Sequence, residues 1–185
     1  NDKGWAFAGN VTYRWANKGY VEGTFYNSLS YFLGVQKVFG DGHHSISLST
    51  WGNPTERSSQ GPATDEAYWL ANDKYYNPYW GYQNGKVRNA RVRKTFEPVT
   101  ILKYTVTPSD DLEASATLLW RTGKNGYTAM DWYDAPDPRP DYYRNLPSYY
   151  WMDDPDYGRQ NAEKAAWAQY AWEENIPEYA HLNWD

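Results

Sequence analysis

Apolar and polar residues alternate along five stretches of this chain. In the first, Trp5, Phe7, Val11, Tyr13 and Trp15 share one parity, and Ala6, Ala8, Asn10, Thr12 and Arg14 share the other. A period of two marks a strand whose faces meet different surroundings. The second stretch sets Phe25, Leu29, Tyr31, Leu33, Val35 and Phe39 against Thr24, Ser28, Ser30, Gly34 and Gln36, with Phe32 and Val38 as exceptions. It ends at Gly40-Asp41-Gly42-His43, a tight-turn signal because Gly and Asp tolerate positive φ. The third sets Ile46 and Leu48 against Ser45, Ser47 and Ser49. In the fourth, Thr100, Leu102, Tyr104 and Val106 share a face. In the fifth, Leu112, Ala114, Ala116, Leu118 and Trp120 oppose Glu113, Ser115, Thr117 and Arg121, with Leu119 out of place. The pattern predicts strands near 5–15, 24–39, 44–51, 86–106 and 112–122.

The connections sort by length. Tight turns at 40–43 and 107–111 fall at one end, while the link 16–23 and the long segments 52–85 and 123–185 fall at the other. Helical stretches are predicted inside the long segments, at "TDEAYWLAN" and "RQNAEKAAWAQYAWEEN". Strands of this length suit a tilted bilayer crossing, which takes about 9–11 residues, whereas strands of soluble sandwiches run shorter. What covers the aromatic parity therefore decides the function: a second sheet in a soluble sandwich, or lipid in a membrane barrel. Arg14, Gln36, Glu113 and Arg121 lie on the small-polar parity, which faces the lumen of a barrel. Lys37 lies on the apolar parity, close enough to the turn for its ammonium to reach an interface. Trp15, Trp51 and Trp120 fall near the long-loop ends, where an aromatic girdle would sit.

Composition sharpens this picture. Trp 11, Tyr 19 and Phe 5 make the chain 19% aromatic, and the mean hydropathy is −0.93. Trp and Tyr, with an apolar body and a polar tip, suit boundaries more than deep aliphatic cores. A net charge of −5 offers no basic footprint for nucleic acid. With no cysteine, disulfides, thiol catalysis and thiolate metal sites are excluded from this segment. No apolar run is long enough for a membrane-spanning helix, a test that barrel strands never meet. No fixed-length repeat is present, and "NDKGW" at the start, without an initiator Met, reads as a mature or excised segment.

The stretch "NPYWGYQNGKVRNARVRKTFEPVTIL", with its order of strand, aromatic loop and Arg-rich return strand, resembles the barrel region of TonB-dependent outer-membrane receptors. The likeness is to the Bacteroidetes type, which carries a carboxypeptidase-regulatory-like N-terminal domain, and it extends over residues 1–185 as part of one barrel domain. It implies a mainly β fold: an antiparallel transmembrane β-barrel segment of about five strands, with long extracellular loops carrying short helices. It also implies a larger barrel of about twenty-two strands with a plug, in the outer membrane of a Gram-negative cell. The partners implied are a nutrient ligand such as an oligosaccharide or peptide, membrane lipid, and TonB acting through a plug outside this segment. Neither a cofactor nor catalysis is implied.

The aromatic run "YYNPYWGYQNG" supplies the ligand-binding candidates Tyr75, Tyr76, Asn77, Tyr79, Trp80, Tyr82, Gln83 and Asn84, joined by Trp132 and Tyr133 from the later loop. Flat rings stack on sugar or apolar ligands, with amides as hydrogen-bond partners; the plainer reading is a loop packed on itself. Asp131, Asp134, Asp137, Asp141, Asp153, Asp154 and Asp156 are oxygen ligands without the spacing of an EF-hand, and no metal is expected. Arg88, Arg91, Arg93 and Lys94 read as solvated or ion-paired. Trp167, Tyr170, Ala171 and Glu174 fit the packing face of a loop helix. His43, His44 and His181 have no nucleophile motif nearby, so no catalytic residue is expected. The rival readings are a soluble carbohydrate-binding sandwich and a glycoside hydrolase fragment, whose two carboxylates would converge in one cleft.

Overall fold

The computed structural model describes residues 3–151 and 161–184. Strand β1, Trp5–Ala16, is followed by β2, Tyr26–Phe39, and β3, His44–Gly52, which continues past Asn53-Pro54 into β4, Thr55–Ser58. After helix α1, Asp65–Leu70, come the short strands β5, Trp80–Gln83, and β6, Lys86–Asn89. Strand β7, Val92–Phe96, runs past Glu97-Pro98 into β8, Val99–Ser109. Strand β9, Leu112–Arg121, runs past Thr122-Gly123 into β10, Lys124–Tyr127. A 3-10 turn, Tyr143–Asn145, and helices α2, Pro147–Trp151, α3, Ala162–Glu173, and α4, Pro177–Ala180, complete the order. Among the described residues no helix is long and apolar enough to cross a membrane.

Eight strands form one sheet. β2 pairs with β1 on one side and with β3 and β4 on the other, β8 follows β3, β7 follows β4, and β9 and β10 lie outermost. The pairs with a defined register, β2 with β3, β3 with β8 and β8 with β9, are antiparallel. The broken strands thus act as long ribbons in sequence order, and among the described residues they do not close on themselves. Chain division gives two units: a sheet unit of residues 1–15, 27–56 and 93–126, and a loop unit of residues 16–26, 57–92 and 127–185.

Register turns the sequence parity into two faces, because residues directly opposite in an antiparallel pair share a face. Val35 opposes Leu48, Leu48 opposes Leu102, and Leu102 opposes Leu118. One row further, Lys37 opposes Ile46, Ile46 opposes Tyr104, and Tyr104 opposes Ala116. The other face carries Gln36 opposite Ser47, Ser47 opposite Lys103, and Lys103 opposite Thr117. The apolar face lies open: Phe7 is 75% exposed, Leu118 67% and Trp120 66%. Leaving such side chains in water forgoes about 1.5–3 kcal/mol each.

Lys37 behaves as its place near the turn requires. Its ammonium donates to the Lys3 carbonyl and lies 5.2 Å from the centre of the Trp5 ring.

Three readings of the pattern are corrected. Trp51 lies opposite Phe32 and Val99, on the small-polar face, so it does not belong to a girdle with Trp120. Together with Ile101 opposite Leu119, these residues form an apolar patch at the long-loop end of that face. The single strand expected near 86–106 is three strands, because Asn89 turns the chain: its Oδ1 accepts from Arg91 N, and its Nδ2 donates to the Gly23 and Ser59 carbonyls. The segments 52–85 and 123–185 also begin as strands β4 and β10 rather than as loop.

Candidate functional site

The loop unit has a core of its own. Thr64 caps α1, its hydroxyl accepting from Ala67 N at 3.2 Å, with Asp65 and Glu66 in the first turn, where the helix dipole favours acids. Asn161 caps α3 in the same way, accepting from Lys164 N at 2.9 Å. The buried stripe of α3 is Ala165, Ala168, Ala171 and Trp172. Its small side chains permit close packing, and Trp172 joins Ala67, Leu70, Tyr76, Leu146 and Ala180 in one cluster. Trp167 and Tyr170, expected on the packing face, are exposed, with their rings tilted against each other at 5.7 Å.

The aromatic run divides by burial. Tyr76, Asn77 and Trp80 are buried. Tyr76 donates to the Ala180 carbonyl at 3.2 Å and packs on Trp172 at 5.3 Å. Asn77 spends its amide on the backbone: Oδ1 accepts from Gly61 N and Tyr79 N, and Nδ2 donates to the Glu22 and Ser59 carbonyls. Asn77 is therefore a strut, with nothing left for a ligand. Trp80 sits against Gly23, whose backbone φ of 72° suits glycine and where a Cβ would collide with the Trp80 ring.

Asn84 has φ 52° and Gly85 φ 72°, which makes them the turn of the β5–β6 hairpin. Gln83 accepts from Arg88, whose guanidinium lies 4.2 Å from the centre of the Trp184 ring. Tyr75 meets Tyr20 edge-on at 4.8 Å, and Tyr79 lies under the Arg91 guanidinium at 5.7 Å. Tyr82 and Tyr133 are exposed, and Trp132 stands 5.8 Å from the Arg139 guanidinium.

Two cavities lie among the described residues of this unit. The larger, of about 560 Å³, takes in Tyr76, Asn77 and Trp80 from the expected set and adds Glu22, Trp69, Trp172 and His181. The smaller, of about 470 Å³, contains Trp132 and again His181. Tyr75, Tyr79, Tyr82, Gln83, Asn84 and Tyr133 line neither. Trp69, Trp172 and His181 escape sequence reasoning because each lies outside the aromatic run. A tryptophan one position after the alanine stripe of α3 was the available signal.

The acidic segment is used internally. Asp137 pairs with Arg139 at 2.6 Å, and despite the opposing effect of burial these bonds hold its carboxyl below the usual range. Burial pushes Asp141 up, against the pull of Arg139, and its Oδ1 has no partner. Asp131 accepts from Tyr133 N, and Asp134 adopts a left-handed φ of 61°. Asp153, Asp154 and Asp156 lie outside the described residues. Among the described residues no three groups gather to hold a metal. In the sheet unit Lys94 pairs with Glu56 at 2.9 Å, and Arg93 donates to Asn125.

His181 links the two cavities. Its ring lies 4.3 Å from Trp80 and edge-on to Tyr82 at 5.5 Å, and its Nδ1 is buried without a partner. Burial holds its pKa below the usual value, partly offset by Glu22. The unfolded chain binds this proton near pH 6.5 and the folded chain only at lower pH. Between those values the unfolded state carries more protons, so stability rises with pH there and falls on acidification below about 6.5. The raised Asp141 carboxyl acts with the opposite sign, so the readout is a difference. Urea midpoints of the loop-unit signal should drop from pH 7 to pH 5 more in the parent than in His181→Phe, which keeps the ring packing; equal slopes would show that His181 does not titrate as argued.

Comparison with family models, with curated proteins and with solved structures finds no match.

Proposed function

We propose that this chain is a wall segment of an outer-membrane β-barrel of the TonB-dependent receptor type. Its apolar sheet face touches lipid, its small-polar face lines a wet lumen, and its loop unit captures a nutrient at the cell exterior. The segment itself performs no chemistry. TonB would act through a plug elsewhere in the parent protein.

One observation carries this reading: the exposed apolar face continues in register from β2 through β3 and β8 to β9, with small and polar side chains behind it. In water this face forgoes burial at every Leu and Phe; in acyl chains it does not. A closed barrel also removes the edges that β1 and β9 present as the outer strands of an open sheet. A soluble carbohydrate-binding sandwich would bury that face against a second sheet, and among the described residues the other sheet has two strands.

Tryptophan quenching tests the reading. In bilayers whose acyl chains carry bromine, the chain's fluorescence should be quenched, and the variant Trp5→Phe/Trp15→Phe/Trp120→Phe should lose most of that effect. A chain that stays monomeric in plain buffer, with no quenching in bilayers, would end the membrane reading.

A further inference from the structure

The sheet unit carries a cleft of about 830 Å³ at the long-loop end of its apolar face. Strand alternation places its walls. Arg93 and Thr95 both donate to Asn125, so these three side chains share one face of the adjacent strands β7 and β10, and Lys94, Phe96, Lys124 and Gly126 take the other. Leu29, which has the parity of Leu33 and Val35 in β2, borders the cleft beside Pro54, whose carbonyl accepts from Leu29 N at 3.0 Å. Leu29 and Phe96 are exposed. Gly126 adds no side chain, and a Cβ there would meet nothing within 4 Å. The charge of the lining is not balanced. Glu56 pairs with Lys94 at 2.9 Å, but Lys94 is exposed, and such a pair holds its partners weakly. Among the described residues Lys124 has no ion-pair partner. The cleft therefore keeps an uncompensated positive charge in a chain whose net charge is −5.

We propose that this cleft seats the phosphate headgroup of an anionic lipid, held by Lys124 and Lys94, with the first acyl carbons over Leu29, Pro54 and Phe96. Lysine meets phosphate as a compact point charge, and basic side chains beside a membrane surface draw anionic headgroups. A free phosphate would leave Leu29 and Phe96 in water, and a wholly apolar ligand would strand the ammonium of Lys124. An amphiphile answers both, and the walls that hold its tail continue along the apolar face toward Leu33 and Val35. As the rim of a barrel wall the site rests on the membrane reading, which it deepens by giving the charge of the lipid; the headgroup contact stands without it.

Flotation of the whole chain with phosphatidylcholine vesicles, with and without phosphatidylglycerol, tests the site. The net charge of an acidic chain opposes anionic vesicles, so a gain reports a local contact. Phosphatidylglycerol should tighten partition by roughly fivefold or more, about what one lysine near an anionic surface supplies. Lys124→Gln should lose that gain. Gly126→Leu, which fills the cleft and leaves the charge unchanged, should lose most of it too, whereas Lys103→Gln, on the small-polar face, should keep it. No gain in the parent, or an equal gain in either cleft variant, would overturn the proposal. Suppression by glycerol phosphate at matched ionic strength would make the occupant a free phosphate, and dimers broken by Lys124→Gln would make it a second copy of this chain; either overturns the lipid assignment. Partition into neutral vesicles without a phosphatidylglycerol gain sinks this inference alone, whereas a gain lost in Lys124→Gln, in a chain that brominated acyl chains do not quench, sinks the barrel reading alone.

Discussion

Leu48→Arg should weaken partition of the chain into phospholipid vesicles by roughly 30- to 700-fold, the equivalent of about 2–4 kcal/mol for a cation near the bilayer midplane. Leu48 sits midway along β3 between Val35 and Leu102, with the apolar face on both sides of it and no interface within easy reach of its side chain. Lys37 escapes that cost because it stands beside the turn, where the Lys3 carbonyl and the Trp5 ring receive it. Ser49→Arg is the matched control. Ser49 lies between Gly34 and Ile101 on the opposite face, where a lumen would hydrate the guanidinium, so its partition should stay near the parent's. Flotation of vesicles with bound chain measures both. If the apolar face met water instead, an arginine at half-exposed Leu48 would be neutral or would improve solubility, and the two variants would not differ. The comparison thus asks which solvent the face was built for, independently of any likeness to other proteins.

The sheet was legible in the sequence because one physical rule governs it. A strand's side chains alternate with a period of two, and a sheet between unlike surroundings writes that period into residue type. Ser47 lies between Gln36 and Lys103, Ser49 faces Gly34, and Ser45 faces Thr105, as their parity requires. The turns at Gly40–Gly42 were legible from positive-φ residues, and Asp41 does adopt φ 55°. Trp51 was misread because position near a strand end was weighed above parity. In the loop unit no single period applies. Its aromatics were treated as one surface, yet Tyr76 and Trp80 face a core while Tyr82 and Tyr133 face solvent, a division made by the hairpin at Asn84-Gly85 and by Asn77 bonding backbone from three separate segments. Those bonds span up to 55 residues, and local pattern holds no record of such distances. Trp172 and His181 were invisible for the same reason: the first is one aromatic among several in an alanine-rich helix, and the second lies more than a hundred residues from the Glu22 that touches its charge.

Trp172→Ala should cost the loop unit about 3–5 kcal/mol, the usual penalty for emptying a buried aromatic site. Its ring is 2% exposed, tilts 58° against Tyr76 and closes the cluster of Ala67, Leu70, Leu146 and Ala180. Alanines on the neighbouring turns of α3 offer nothing that could fill the space. Against a domain stability of about 5–15 kcal/mol, this loss removes a large share, so tryptic cleavage after Lys74 and Lys86 should become fast and near-UV dichroism should collapse. Trp167→Ala, on the exposed side of the same helix, should change stability by no more than about 0.5 kcal/mol. The pair separates burial from composition: both tryptophans belong to one short helix, and periodicity alone had put the wrong one inside. The unpartnered Nε1 of Trp172 makes its burial costlier than that of a phenylalanine. Trp172→Phe should therefore retain most of the stability that Trp172→Ala loses. A Phe variant as unstable as the Ala variant would mean that the ring's shape, not its burial, holds α3 in place.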